Sequence, residues 1–323
     1  MGVALAPLIK RRKSVELEDL KGKKVAVDAN NILHQFLFSI RTSDGRPLRD
    51  SKDNITSHLI GLLNRSSRLI QECQIHLVFV FDGKPPELKE GEMEKRRKRR
   101  EEAKREWKQT LEKGDYATAR SKALKSSRLT KSSLEDAKKL LKLLGIPLVQ
   151  APSEAEAQTA YMAQRGDVWA TNSRDYDALL FGSHRVLRYL TISTKRRPEI
   201  INLNHLLSDQ KLSLDQLVDI AILMGTDYND GVRGVGPKTA LTLIKEHSSI
   251  EGLPEKIKSE VTENYDRIRK IFLEPKTIFD YPLEYEILQE EKLYHFLCQH
   301  RGLSRERVET TVNRLKEFYS DQQ

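Results

Sequence analysis

Short apolar runs that end in carboxylates are the feature that most limits how this chain can fold. Helical patterns separate the runs as far as about Tyr189, which is typical of a mostly parallel sheet flanked by helices. In open sheets of this kind the functional crevice lies at the carboxyl ends of the strands. The runs and their acids are Lys24–Val27 with Asp28, Ile75–Phe81 with Asp82, Pro147–Val149 with Glu154 and Glu156, and Val168–Thr171 with Asp175 and Asp177.

Carboxylates gathered at one edge of a sheet repel one another unless a counter-charge lies among them. Apart from Lys24, which begins the first run and lies four residues before its acid, Arg174 is the only Lys or Arg within these segments. Divalent cations prefer oxygen ligands, and a pair of them holds the attacking and leaving oxygens of a phosphodiester during displacement. The sequence therefore predicts a metal-dependent nuclease. The seven candidate metal ligands are Asp28, Asp82, Glu154, Glu156, Asp175, Asp177 and Asp227.

Each acid also has an ordinary structural explanation. A single Asp after a strand is most often the N-cap of the next helix. Ser153 and Glu156 have the spacing of a capping box, which by itself accounts for Glu156. Glu154 has no such explanation, and several strand ends repeat the pattern. Capping therefore explains the acids poorly as a set, and we favour the metal site.

Composition narrows the class of partner. The net charge of +9 favours a polyanion. Cys73 and Cys298 are the only cysteines, so no disulfide framework is expected, and the eight histidines form no zinc motif. We find neither a membrane-spanning run nor a signal peptide, and we expect a cytoplasmic protein.

Periodic apolar residues predict helices between the strands, and the chain reads as all helix after about Leu206. The clearest predicted helices are Thr56–Ile70, Leu134–Leu144, Leu214–Met224, Lys238–His247 and Arg305–Phe318.

A basic excursion interrupts the sheet pattern between residues 84 and 127. It contains the run Lys95–Arg100 and few large apolar residues, which by itself is typical of a solvated helix. It follows Asp82 directly, however, so it must start beside the predicted metal site. Lys89 and Arg96, seven residues apart on one helix face, are placed to reach a scissile phosphate.

The glycine-rich segment Gly231–Ala240 precedes an amphipathic helix. Gly234 and Gly236 permit a tight turn whose N–H groups face a phosphate, and Lys238 adds positive charge at the helix start. The pattern matches the hairpin of helix–hairpin–helix proteins that bind the DNA backbone without reading its sequence. The alternative is an ordinary turn between helices.

With these residues assembled, the chain resembles the flap endonucleases, structure-specific 5′-nucleases, and most of all archaeal ones. The resemblance covers nearly the whole sequence. The matching segments are Met1–Val3, Val27–Ala29, Phe79–Pro86, Ala151–Ala157, Arg174–Asp177 and Gly225–Tyr228.

The resemblance implies a nuclease core of the PIN type, with a helical arch and a C-terminal helix–two-turn–helix region. It implies two Mg²⁺ ions at the seven acids, with Mn²⁺ as a substitute, Lys89 and Arg96 as catalytic residues, and K⁺ at the glycine-rich loop. The implied substrate is branched DNA with a 5′ flap, and a sliding clamp is an expected partner of a monomeric enzyme. The expected DNA contacts are Gly2, His34, Arg41, Arg65, Gly234, Gly236 and Lys238.

Two positions depart from the family pattern. His34 stands where the family usually has a Tyr that stacks on a base next to the cut, which implies weaker or pH-dependent stacking. The chain also shows no clear clamp-binding peptide near Phe318.

We expect four regions along the chain. They are an N-terminal nuclease region (1–98, with the arch starting at 84), the rest of the arch and cap (99–130), an internal nuclease region with the helix–two-turn–helix (131–260), and a C-terminal helical region (261–323). One alternative function stays open, a catalytically silent duplex-binding scaffold on the same fold. A ribonuclease of the related small nuclease fold is disfavoured by the duplex-binding turn and the arch.

Overall fold

The computed structural model describes residues 2–42, 45–112, 118, 121, 128–190 and 196–320. Within these residues the chain forms a seven-stranded sheet with the order β1-β7-β6-β5-β2-β3-β4. The strands are β1 Lys13–Ser14, β2 Lys24–Asp28, β3 His76–Phe81, β4 Leu148–Gln150, β5 Ala170–Asn172, β6 Arg185–Arg188 and β7 Glu199–Asn202.

Strands β6, β5, β2, β3 and β4 run parallel, and β7 and β1 add an antiparallel edge. The inner strands are apolar on both faces because helices cover both sides, as in β3, where every residue after His76 is buried. The predicted α/β class with a mostly parallel sheet is confirmed. The antiparallel edge was not predicted.

Helices connect the strands and form the C-terminal third of the chain. The α-helices are α1 Ala29–Ser39, α2 Ser57–Gln71, α3 Glu90–Glu112, α4 Lys131–Leu143, α5 Ala155–Gln164, α6 Asp177–Leu180, α7 Leu203–Gln210, α8 Leu214–Met224, α9 Pro237–His247, α10 Glu255–Lys258, α11 Tyr265–Leu273, α12 Glu290–Tyr294 and α13 Arg305–Ser320. A π-helical turn spans His295–His300, and 3₁₀ turns span Ala6–Leu8, Glu18–Leu20 and Glu87–Lys89.

Local signals explain where several helices begin and end. Thr130 caps α4 by accepting a hydrogen bond from Ser133 N, and Ser213 and Gln216 form a reciprocal capping box at α8. Gly145, with φ +71°, lets the chain turn back after α4 towards β4. All five predicted helices form, within a few residues of the expected bounds.

The C-terminal helices share a core with the N-terminal part of the sheet. Val312, Leu315 and Phe318 of α13 join one buried cluster with Leu62 of α2 and Val25 of β2. Because the two ends of the chain bury each other's apolar faces, removal of α13 would expose the core on that side of the sheet.

The basic excursion is helical over Glu90–Glu112, as predicted, and Ala103 is the only buried residue among the described positions of this helix. The rest of the predicted cap falls almost entirely outside the described residues. In the part of the chain that is described, no helix is long and apolar enough to cross a bilayer.

Candidate active site

The first two acids follow the two central strands and are fixed by the helices that start there. Asp28 ends β2 and caps α1, accepting a hydrogen bond from Asn31 N at 2.9 Å. Asp82 follows β3 and accepts from Ala155 N at 2.8 Å and from Asn30 Nδ2 at 2.6 Å. Asp28 therefore serves as a helix cap and, at the same time, presents a carboxylate at the carboxyl edge of the sheet.

Glu154 and Glu156 enter from the start of α5. No capping box forms here: Glu154 occupies the N-cap position without a side-chain capping bond of its own, and Asp82 Oδ1 accepts from Ala155 N, the first N–H of the helix. Glu156 accepts a hydrogen bond at 2.9 Å from Ser173 Oγ, just after β5. The capping-box interpretation of Glu156, the alternative to a metal ligand, is therefore wrong.

Asp175 and Asp177 follow β5 and hold the N-terminal residues of the chain. Val3 N donates to Asp177 Oδ1 at 2.7 Å, and Gly2 N lies 3.4 Å from Asp175 Oδ1. A Cβ at Gly2 would stand 2.5 Å from Asp177 Oδ1, so only glycine fits this position. Gly2 thus lies beside the carboxylates; its expected contact with DNA stays a prediction.

Asp227 lies in a tight turn and faces two cations from the start of the basic excursion. Lys89 Nζ lies 3.2 Å from Asp227 Oδ2, and Arg96 donates to Asp227 Oδ1 at 2.5 Å. Lys89 also pairs with Glu154, to which the buried Tyr228 hydroxyl donates a second hydrogen bond. The structure therefore brings both predicted catalytic cations among the predicted metal ligands.

The acids of the site differ in pKa, according to whether a cation lies next to them. Burial raises the pKa of Asp28, Glu156 and Asp177, and nearby carboxylates raise it further, in Asp177 to about 7. Burial also opposes ionisation of Asp227, but Lys89 and Arg96 lower its pKa below the usual value. At Asp28 and Asp177, by contrast, the charge of Lys89 lowers the pKa less than burial and the neighbouring acids raise it.

The donor set fits hard divalent cations. Several carboxylates share a buried space in which like charges disfavour one another, and Asn30 Oδ1, beside Asp82, is buried with no hydrogen-bond partner among the described residues. Within those residues, no three acid, His or Cys side chains already surround one point as a closed metal cage. Lys89 Nζ instead pairs with both Glu154 and Asp227.

A cleft of about 690 Å³ opens over the acids, between α1 and α3. We call it the arch cleft; its lining includes Asp82, His34, Arg96, Arg100 and Arg128. Burial, together with the nearby charges of Arg100 and Arg96, lowers the pKa of His34 to about 4. His34 is therefore a neutral ring on the wall of a basic cleft.

The glycine-rich loop forms the predicted turn before α9. Gly234 has φ +78°, Gly236 is the N-cap of the helix, and Pro237 is its first residue. A Cβ at either glycine would meet no atom within 4 Å, and Lys238 is exposed, so the N-terminus of α9 is open to a ligand.

The two remaining predicted DNA contacts have internal roles. Arg41 donates to Gly45 O at 2.7 Å and lies over the Phe38 ring. Arg65 is half-buried and donates to Leu190 O at 3.3 Å. Neither residue lines the arch cleft.

Sequence reasoning missed the side chains that orient the acids. Asn31 donates to Asp175 at 2.9 Å while its backbone N–H binds Asp28, so one residue links two strand ends. The signal for Asn30 and Asn31 was their position two and three residues after Asp28, and the signal for Tyr228 was its place after Asp227. No pattern in the sequence pointed to Ser173.

Comparison with known proteins agrees with this geometry. The XPG N-terminal domain profile matches residues 1–103, and the XPG I-region profile matches residues 145–227. Flap endonuclease 1 of Pyrococcus abyssi is 48% identical over 98% of this chain and 94% of its own length. The flap endonuclease-1 structure from Methanococcus jannaschii aligns over the whole of both chains with 44% identity and a TM-score of 0.81.

The catalytic core of Rad2 in complex with a DNA substrate has the same fold, with a TM-score of 0.74 at 22% identity over 98% of this chain and all of that one. Both domains of the XPG family, the acids at the sheet edge and the full-length relatives lead to one assignment. This chain belongs to the flap endonuclease 1 family of metal-dependent, structure-specific nucleases.

Proposed function

We propose that this chain is a Mg²⁺-dependent endonuclease that cuts 5′ flaps at the junction of single strand and duplex, with 5′–3′ exonuclease activity, in DNA replication and repair. The observation that carries the proposal is the cluster of acids at the carboxyl edge of the sheet, of which Asp28, Glu154 and Asp177 are buried, flanked by Lys89 and Arg96. Phosphodiester hydrolysis needs both components: oxygen ligands for metal ions and fixed positive charge for the phosphate.

The seven acids would hold the metal ions: Asp28, Asp82, Glu154, Glu156, Asp175, Asp177 and Asp227. When bound, two Mg²⁺ ions, or Mn²⁺ in their place, would supply a nucleophilic water and stabilise the leaving 3′ oxygen. The protein's own contribution is to hold the carboxylates in register, through Asn30, Asn31 and Ser173.

Lys89 and Arg96 would exchange their carboxylate partners for the scissile phosphate. Both side chains are at least partly shielded from water, with 19% and 34% of the side chain exposed, so a phosphate beside them would interact strongly. We assign both residues to the neutralisation of charge that develops on the phosphate during cleavage.

The DNA would bind on both sides of the acids. The N-terminus of α9 with Gly234, Gly236 and Lys238 is suited to a duplex backbone, with K⁺ as a bridging ion, and the arch cleft with His34 is suited to the single strand. Gly2, next to the carboxylates, would lie at the junction. Arg41 and Arg65 stay proposed contacts at the margin of this surface.

We further propose that the enzyme acts as a monomer, close to the nucleoid inside the cell, where flaps arise during DNA synthesis. A sliding clamp is a proposed partner.

A cleavage assay tests the function. The protein is incubated with 5′-flap DNA, nicked duplex and single-stranded RNA, each with Mg²⁺ or with EDTA. Metal-dependent cutting confined to the flap junction is the expected result. Flap binding without cutting would favour the silent scaffold, and cutting of the RNA would favour the ribonuclease.

Two neighbouring acids provide matched variants for this assay. Asp227→Asn should abolish cutting while flap binding persists, because the proposed duplex contacts lie elsewhere. Asp230→Asn is the control, since Asp230 is exposed and pairs with Lys95 outside the cluster. Near-normal turnover of the Asp227 variant in Mg²⁺ would refute its assignment as a metal ligand.

A further inference from the structure

A second cleft, of about 460 Å³, lies on the other side of the segment that joins β3 to α3. We call it the rear cleft. Residues 84–88 form one wall, the start of α5 forms the floor near Ser153, and α11 with residues 274–276 forms the opposite wall. It shares Pro85, Ser153 and Glu154 with the arch cleft, so the two cavities adjoin at the active site.

The rim of the rear cleft is basic. Lys84, Arg267, Lys270 and Lys276 are exposed on it, against two exposed acids, Glu87 and Glu274. Among the described residues, Lys84, Lys270 and Lys276 form no ion pair. Arg267 approaches Glu87 only at 3.7 Å, with both side chains more than half exposed. Most of this positive charge is therefore available to a ligand, because an exposed pair of this kind contributes little.

The remaining acid of the cleft, Glu154, already has its partners. Lys89 and the Tyr228 hydroxyl bind its two oxygens, so it adds little repulsion towards an anion in the rear cleft. Between the basic residues the lining is apolar, with Pro85, Leu88 and Ile271 partly exposed. A basic rim around an apolar lining is the combination that binds a single strand, with phosphates on the rim and bases against the lining.

We propose that the rear cleft binds the single-stranded 5′ flap after it has passed the active site. The inference rests on the proposed function and extends it: the strand would run from the arch cleft past Glu154 into the rear cleft. The volume of the cleft suits a ligand of about nucleotide size, which favours a single strand over a duplex.

The test compares flap lengths in EDTA, where binding is measured without cleavage. The variant is Lys270→Gln with Lys276→Gln, two exposed residues that lie outside the catalytic machinery. For a substrate with a flap of roughly 15 nucleotides we expect the variant to bind about tenfold more weakly than the parent protein. The slope of log K against log salt concentration should be shallower by about 1.4, the value for two lost single-strand phosphate contacts. For a flap of a single nucleotide, which does not reach the rear cleft, binding should be unchanged.

The control variant is Lys21→Gln with Lys142→Gln. It removes the same charge from exposed residues on the side of the sheet where the strands begin, opposite the active crevice. It should bind both substrates like the parent protein. Equal weakening of both flap lengths by the Lys270 and Lys276 variant would overturn the proposal, as would normal binding of the long flap.

Hydrogen exchange supplies a second, local readout. Residues 267–276 should gain protection on binding the long flap and not on binding the single-nucleotide flap; equal protection by both would count against the proposal. A free single-stranded oligonucleotide separates this proposal from the function as a whole. If the parent protein failed to cut flaps, the proposed function would fall, yet the double variant should still bind the oligonucleotide more weakly than the parent does.

Discussion

Tyr228 shows how one side chain can orient a carboxylate that belongs to a different segment of the chain. Its buried hydroxyl donates to Glu154, while Lys89 binds the other carboxylate oxygen. Glu154 is thereby held in one orientation at the start of α5. Groups that orient a metal ligand commonly change metal affinity by about 10- to 100-fold when they are removed.

We predict that Tyr228→Phe weakens the binding of Mg²⁺ by about tenfold and leaves duplex binding unchanged, because only the orientation of Glu154 is lost. The measurement is a Mg²⁺ titration of the single-turnover rate, together with direct titration of metal binding. Tyr281→Phe is the matched control, since Tyr281 donates to Asp167, which is not among the candidate metal ligands. Identical metal affinity of the Tyr228 variant and the parent would contradict the assigned role.

The pKa of His34 does not favour pH-dependent stacking in the neutral range. Its pKa of about 4 means that the ring is neutral above that pH. We therefore predict a constant ratio of cleavage rates between the parent protein and His34→Phe from pH 6 to pH 8. The Phe variant should cut faster at every pH, because a larger apolar ring stacks better on a base. A ratio that changes near pH 6.5 would show that His34 titrates in the ordinary range.

At the scale of elements, α3 is attached to the active site through its first two turns. Lys89 lies just before the helix and pairs with Glu154. Within the helix, Lys95 pairs with Asp230 and Arg96 pairs with Asp227. Lys95 and Arg96 are adjacent in sequence yet pair with different acids. We therefore propose different roles for them: Arg96 acts on the scissile phosphate, and Lys95 forms an ordinary surface ion pair.

Lys89→Ala or Arg96→Ala should lower the single-turnover cleavage rate more than it weakens flap binding, as expected for groups that act on charge in the transition state. Lys95→Ala should change neither by more than a few fold, because its partner, Asp230, is exposed. Single-turnover kinetics and binding in EDTA measure the two effects. A loss of affinity with an unchanged rate would reclassify Lys89 and Arg96 as backbone contacts.

Helices α8 and α11 are joined by one buried ion pair. Arg269 binds the buried Asp219 of α8 at 2.8 Å and also pairs with Glu251. Arg269→Gln should cost about 2–3 kcal/mol of unfolding free energy, because it leaves a buried carboxylate without its partner. Arg267→Gln, on the exposed side of the same helix, should change the unfolding free energy by less than about 0.5 kcal/mol.

The Arg269 effect should also depend on pH. Burial opposes ionisation of Glu251, but Arg269 and other hydrogen bonds lower its pKa to about 2. A depressed folded-state pKa stabilises the protein above the ordinary value of 4.5, and this contribution is lost as the pH falls towards about 2. Urea unfolding of parent and variant should therefore converge on acidification; a gap that widened would contradict the assigned pairing.

At the scale of the whole molecule, the cluster of acids lowers the stability of the fold, because its carboxylates repel one another. Asp28, Glu156 and Asp177 come from three different segments and are crowded together in buried positions. We predict that Glu156→Gln increases the unfolding free energy in EDTA by about 1 kcal/mol, because one repelling charge is removed. The melting temperature in EDTA should therefore rise. The same variant should lose most of the stabilisation that Mg²⁺ gives to the parent.

Calorimetry with EDTA or Mg²⁺ measures both effects, and Glu284→Gln is a control for loss of an exposed acid. A Glu156 variant that is stabilised by Mg²⁺ as strongly as the parent would show that Glu156 is not a ligand.

The sequence by itself determined the fold class and the location of the site. Alternation of apolar runs and helical periods is local information, and it predicted the inner strands, the five helices and the acids that follow the strands. Asp227 instead lies in a turn after helix α8. The division into four regions stays a prediction, although α13 and the N-terminal sheet share one core. The short strands β1 and β7 have little apolar signal of their own, so only pairing with β6 defines them.

Only the tertiary structure decided which charges meet. From the sequence, the acids appeared to lack any protein counter-charge, because the segments around them contain almost no Lys or Arg. Folding brings Lys89 and Arg96 to Glu154 and Asp227 across 65 and 131 residues of chain, and Ser173 to Glu156 in place of the expected cap. The physical reason is that capping and periodicity act between neighbours along the chain, whereas an ion pair or a buried hydrogen bond depends on distances that exist only after the sheet and helices have packed.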